Sequence, residues 1–82
     1  NTTIGVVATN ARLDKVGCHL LAQSAHDGLA RALVPAHTRF DGDAVVTASV
    51  GPDDAKVEAQ VDHVRWLTMT TVEQAIRAVG AA

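Results

Sequence analysis

Thr2 and the carboxylate pair Asp41 and Asp43 are the side chains whose types and placing could do chemistry. A threonine that opens a strand is ordinarily just a β-branched strand former. If the peptide bond to Asn1 is cut, however, Thr2 carries a free α-amine beside its own hydroxyl. The amine then serves as general base for the oxygen nucleophile, and no histidine is needed. An α-amine titrates near about 7.7–8.0, so an uncharged, basic fraction is present at neutral pH.

Asp41-Gly42-Asp43 places two carboxylates at i and i+2, just ahead of an apolar run. Three readings are open. The pair can be a solvated turn, with Gly42 supplying an unusual backbone angle. It can be part of a metal site, although the segment lacks the spacing of a calcium loop. Or it can orient an N-terminal amine and hydroxyl. The last requires the strand after Asp43 to lie beside the strand opened by Thr2, with its first residues close to Thr2. His37, in the same loop, is a candidate for the edge of a site or a loop-fixing residue. His26 falls inside a helical pattern and reads as a packing residue, and Cys18 as a core thiol. Phosphate-binding glycine loops, zinc spacings and nucleophile elbows are all missing from the sequence.

The elements that must hold these residues follow from the pattern. In Thr2–Thr9 neither face carries a charge, as in a central strand covered on both sides. Gly5 within it marks a place where another backbone or a ligand comes close. Asp14 stands where a helix N-cap belongs. From Lys15 to Leu33 the residues Cys18, Leu21, Ala22, Ala25, Leu29 and Ala32 form one apolar stripe, with His19, Gln23, Asp27 and Arg31 on the polar side. Gly28 inside this helix costs about 1 kcal/mol relative to alanine, which points to tight packing against a neighbour. Pro35 ends the helix.

A loop over 36–43 leads to a second strand, Ala44–Val50, and Gly51-Pro52-Asp53-Asp54 is a turn. Val57, Ala59 and Val61 suit either a short strand or the lead-in to the last helix. That helix has Val61, Val64, Thr68, Val72, Ala75 and Val79 on its apolar face and a Glu73–Arg77 pair four residues apart.

Eighty-two residues make one domain at most, and a chain of this size buries only about 60% of its unfolded surface. With Phe40 and Trp66 as the two aromatics, the core must be built from valine, alanine, leucine and isoleucine. A net charge of −2 without a basic cluster argues against nucleic acid or an anionic membrane as partner. No run approaches the roughly 20 apolar residues of a membrane span. One cysteine precludes an internal disulfide and suits a reducing, cytoplasmic setting. The formal glycosylation sequon Asn1-Thr2-Thr3 is discounted, since no secretory signal accompanies it. The lack of an initiator methionine is expected of a processed chain or a fragment. Two helices pack most naturally on one face of a sheet, so strands apolar on both faces need further cover. The expectation is therefore a piece of a larger molecule, not an independent domain.

With those residues laid out, the chain resembles the C-terminal part of the L-aminopeptidase/D-esterase family, which includes β-peptidyl aminopeptidases and nylon-oligomer hydrolases. The matching stretches are Asn-Thr-Thr-Ile-Gly-Val-Val-Ala-Thr-Asn-Ala at 1–11, Ala-His-Asp-Gly-Leu-Ala-Arg-Ala at 25–32 and Pro-Ala-His-Thr-Arg-Phe-Asp-Gly-Asp at 35–43. The resemblance implies an α/β fold that is part of a four-layer α/β/β/α sandwich, completed by a large upstream subunit. It implies a precursor that cuts itself between Asn1 and Thr2, releasing Thr2 as the nucleophile of the small subunit. Asp41 and Asp43 fall on two polar positions that assist the nucleophile in the nylon-oligomer hydrolase branch; other branches carry different residues there. A lysine and an asparagine of the oxyanion site belong to the large subunit. No cofactor or metal is implied. Asn1 departs from the mature pattern, because Thr2 has no free amine while Asn1 precedes it.

The function expected from all this is the small subunit of a self-cleaving amidohydrolase or aminopeptidase acting on small peptides or amino-acid amides. Its partners would be the large subunit of the same precursor and further copies of that heterodimer in a higher oligomer. The alternative is a non-catalytic module that only completes a partner's α/β fold.

Overall fold

The computed structural model describes residues 2–33 and 42–81. Within them the elements run β1 (Ile4–Thr9), α1 (Lys15–Ala32), β2 (Ala44–Ser49) and α2 (Val61–Ala81), with a single 3-10 turn at Asp53–Ala55 before α2. The result is a small α/β unit of two helices and a two-stranded sheet. His37 and Asp41 lie outside the described residues, as does Asn1.

β1 and β2 pair in parallel, with Ile4 opposite Ala44 and each later residue in step through Thr9 opposite Ser49. Parallel strands need a crossover, and α1 supplies it. Asp14 caps α1 as its position suggested, its carboxylate accepting from the Gly17 amide at 2.7 Å. The helix ends at Ala32, one residue short of the expected Leu33, which is already extended. Two hydroxyls hold the sheet to the chain around α1. Thr47 Oγ1 donates to the Cys18 carbonyl, and Ser49 Oγ donates to the Ala11 carbonyl at 2.6 Å.

The core lies between the helices. Leu21, Ala25 and Leu29 of the predicted stripe are buried, and Ala11 and Val64 join them. The polar side of α1 is exposed as expected, at His19, Gln23, Asp27 and Arg31. Gly28 is where the helices meet: a Cβ there would stand 2.4 Å from the Met69 carbonyl oxygen and 3.0 Å from Val72 Cβ. Polar ties reinforce this contact. Arg65 Nε donates to the buried Ser24 hydroxyl at 2.8 Å. Arg31 and Arg77 both reach the Glu73 carboxylate, at 2.9 and 3.0 Å, and Arg77 also donates to the Arg31 carbonyl.

Two expectations hold and one needs correction. As expected of two helices on one face, the other face of the sheet is left open within this chain: Ile4 and Val6 are each 75% exposed and Val46 is 62% exposed. Of the two readings of 57–61, the structure takes the lead-in to the last helix. Val57 makes one parallel bridge to Ala11, and the helix begins at Val61. Last, the apolar face of α2 is buried only in its first half, at Val64 and Thr68, whereas Val79 is 78% exposed. Beyond Val72 the contact with α1 is polar, through Glu73 and Arg77 to Arg31, and the apolar residues Ala75, Ile76 and Val79 border an open groove.

Gly28→Ala should destabilise the chain despite its better helix propensity. The propensity gain is about 1 kcal/mol, whereas pushing the Met69 backbone away is an overpacking cost of about 1–3 kcal/mol. Denaturant unfolding of the variant against the parent checks the sign.

Glu73 gives a second test. Hydrogen bonds from Arg31, then Arg77, lower its pKa from the ordinary 4.5. A carboxylate with a lowered folded pKa contributes stability in full above 4.5 and loses it as pH falls through the folded value. Glu73→Gln should therefore flatten the acid limb of the stability profile, read as Tm against pH from 6 down to about 3.

Candidate functional site

The parallel register brings the two sequence-distant candidates together. Because Ile4 faces Ala44, the residues just before them, Thr2-Thr3 and Gly42-Asp43, lie side by side at one end of the sheet. The Ala44 amide donates to the Thr3 carbonyl at 2.9 Å, extending the ladder by one bond. The Thr3 amide in turn donates to Asp43 Oδ1 at 3.0 Å. That charge-assisted bond replaces the backbone acceptor the ladder no longer supplies, and fixes the end of β1.

Thr2 is exposed at the tip of this arrangement, while Thr3 and Asp43 are half-buried. Gly42 lies against Thr2: a Cβ built on it would be 3.5 Å from Thr2 Oγ1, an ordinary contact distance. The hydroxyl is thus held at the mouth of the fold, beside a residue with no side chain and one residue from a carboxylate-anchored amide. The geometry required by the third reading of Asp41-Gly42-Asp43 is met at Gly42 and Asp43. Asp41 and His37 fall in the stretch outside the described residues, as does the Asn1 side of the Asn1–Thr2 bond.

Below Thr2 runs a groove of about 520 Å³ between the helix-facing side of β1 and the second half of α2, walled by Leu29, Leu33, Val72 and Ile76 among others. Among the described residues it is lined by no charged side chain. Among the described residues no group of three or more histidine, cysteine, aspartate or glutamate side chains could hold a metal ion. The same residues include no helix long and apolar enough to cross a membrane. His26 lies half-buried on α1.

Two features of the site carried no sequence signal of their own. The bond from the Thr3 amide to Asp43 and the approach of Gly42 to Thr2 both depend on a parallel register that spans forty residues. In hindsight the cue was positional: each polar pair stands immediately before a strand, and in-register parallel strands align what precedes them.

A crossover helix between parallel strands, with an exposed threonine and a carboxylate at their shared N-terminal end, makes this a small α/β unit. Comparison with known proteins gives this class a family. Residues 1–82 match Peptidase family S58, and the chain belongs to it, the L-aminopeptidase/D-esterase family. It is 45% identical over 82 residues to an uncharacterized aminopeptidase of Mycobacterium leprae, covering 100% of this chain and 22% of that protein. An uncharacterized aminopeptidase of Mycobacterium tuberculosis strain H37Rv is 44% identical over the same length, with 23% of that protein covered. A 6-aminohexanoate-oligomer endohydrolase of Paenarthrobacter ureafaciens is 33% identical over 54 residues, 66% of this chain and 15% of that protein. The chain thus spans less than a quarter of the length of the curated relatives it matches. No solved structure matches it.

The Asp43 contact separates two side-chain properties. Asp43→Asn keeps an oxygen that can accept from the Thr3 amide and loses only the charge, whereas Asp43→Ala loses both. A hydrogen bond to a charged group is worth about 1.5–3 kcal/mol. Asp43→Ala should therefore lose about that much in denaturant unfolding, with Asp43→Asn between it and the parent.

Proposed function

We propose that this chain is the nucleophile-bearing small subunit of a self-cleaving amidohydrolase, with Thr2 as the attacking residue. The observation that carries the reading is the exposed Thr2 hydroxyl set against Gly42 and beside the Asp43-anchored end of β1. Membership of a peptidase family, and relatives named for aminopeptidase and oligomer-hydrolase activity, support a hydrolase that cleaves amide bonds. Small peptides or amino-acid amides are the substrates we infer. The large upstream subunit would complete a four-layer α/β/β/α sandwich, and copies of that heterodimer would assemble further, in the cytoplasm.

In this reading Thr2 Oγ attacks the amide carbonyl carbon while its proton passes to the Thr2 α-amine. The tetrahedral intermediate collapses, the amine of the substrate leaves with that proton, and an acyl ester remains on Thr2. Water, deprotonated by the same α-amine, then releases the acid and restores the hydroxyl. Asp43, and Asp41 as its neighbour in the loop, would favour the ammonium that forms on the α-amine at each attack. Oxyanion donors would come from the large subunit, each worth about 3–4 kcal/mol in the barrier. Maturation uses the same oxygen: Thr2 Oγ attacks the Asn1 carbonyl, the acyl group shifts from nitrogen to oxygen and so frees the Thr2 amine, and hydrolysis of the resulting ester releases the Asn1 carboxylate and restores the hydroxyl.

The exposed apolar sheet face suits a second reading, in which the chain only completes a partner's fold. Thr2 variants of the full-length precursor decide between them. Thr2→Ala should fold and remain a single chain without amidase activity. Thr2→Ser keeps the oxygen and should retain some processing, whereas Thr2→Val keeps the shape and should have none. Intact mass reads all three. A chain beginning at residue 2 from the Thr2→Val precursor would mean that an outside protease makes the cut.

A further inference from the structure

Backbone groups of a strand point alternately to its two edges. In β1 the odd-numbered residues face β2: the Thr3 and Thr9 carbonyls accept from the Ala44 and Val50 amides, at 2.9 and 2.8 Å. The same parity continues past the strand, where the Ala11 carbonyl accepts from Ser49 on the β2 side. Even-numbered residues therefore face the other edge. There the Asn10 carbonyl accepts from the Val57 amide and the Arg12 amide donates to the Val57 carbonyl, both at 2.8 Å. Val57 thus starts a third strand position beside β1 and occupies only its far end. Along the rest of that edge the amides and carbonyls of Ile4, Val6 and Ala8 meet no strand among the described residues.

This open edge lies over apolar surface. α2 packs chiefly on α1. Between β1 and α2 the groove of about 520 Å³ continues, past Val6 and Val7, into a second of about 390 Å³. Together they follow β1 from Thr2 to Thr9, with Val72 and Ala75 of α2 lining both. Ala75 and Val79, on the predicted apolar face of α2, are exposed because they border this groove. A row of backbone hydrogen-bonding groups above an uncharged trough is the binding surface of an added β-strand: the backbone pairs and every second side chain enters the trough.

We propose that a β-strand from the remaining part of the same longer polypeptide pairs with the Ile4, Val6 and Ala8 edge of β1 and drives its apolar side chains into the groove against α2. The strand needs about five residues, roughly 17 Å, and meets Val57 at its end. The relatives supply the source, since this chain covers only 22–23% of the mycobacterial ones. The consequence for the site is specific. The groove below Thr2 is core and not an acyl pocket, and β1 is an interior strand, clamped on both edges, that holds its first residues rigid. The inference rests on the companion subunit proposed above but not on the catalytic role of Thr2.

Amide hydrogen exchange, resolved by residue in the full-length protein without substrate, tests it. Ile4, Val6 and Ala8 should exchange at least 100-fold more slowly than in an unfolded chain, as slowly as Gly5, Val7 and Thr9. Ala75→Trp, which fills the groove from a residue exposed in this chain, should release Ile4, Val6 and Ala8 while Gly5, Val7 and Thr9 stay protected. Fast exchange at the even positions of the parent protein overturns the proposal. So does protection that disappears on dilution, which would assign the edge to a second copy. Protection unchanged in Ala75→Trp overturns it as well. Because none of these outcomes depends on turnover, an inactive Thr2 would leave the test intact.

Discussion

The in-register parallel pairing of β1 with β2 is the constraint on which the rest depends. It alone sets Thr2-Thr3 against Gly42-Asp43, forty residues away in the chain. A slip of one residue would turn Val45 and Thr47 to the open face, and would take Thr47 Oγ1 away from the Cys18 carbonyl. It would also part the Thr3 amide from Asp43. One register thus fixes both the packing of α1 and the end of the strand that presents the hydroxyl.

The helices serve that register from one side only. Leu21, Ala25 and Leu29 place α1 in the core, and α2 closes on α1 so tightly at Gly28 that a methyl group there would meet backbone. The Arg31–Glu73–Arg77 and Ser24–Arg65 ties then hold the helix pair at two points. Exposed ion pairs add little by themselves, so the apolar contact dominates and the polar ties choose its orientation. The helices form a well-joined pair, while the sheet keeps an apolar face in solvent, with Ile4 and Val6 each 75% exposed. A parallel sheet is ordinarily covered on both faces. That imbalance agrees with a chain less than a quarter as long as the relatives it matches.

Rigidity at the strand end bears on the proposed role of Thr2. A nucleophile gains from a fixed approach geometry, and a small displacement is enough to cost it reactivity. Thr2 is exposed, but the residue after it is tied through the Asp43 carboxylate and the Ala44 amide. If Thr2 is the nucleophile proposed above, its exposure on an anchored backbone combines access with orientation, and the anchor is a side chain that stands just before the neighbouring strand.

Much of this was legible in the residues. The spacing of Leu21, Ala25 and Leu29 determined the buried side of α1, Asp14 its start, and Gly28 the place of closest helix contact. The uncharged runs at Thr2–Thr9 and Ala44–Val50 determined two strands with no polar face, and the stretches 1–11, 25–32 and 35–43 in combination marked the family. These are local properties, set by propensity and periodicity within a few turns. Only the tertiary structure decided that Asp43 accepts from the Thr3 amide, that Val57 bridges to Ala11, and that the outer half of α2 borders a groove. Each of these depends on register and on which face of β1 the helices take. Residues forty or more positions apart settle both, and no local pattern encodes their meeting.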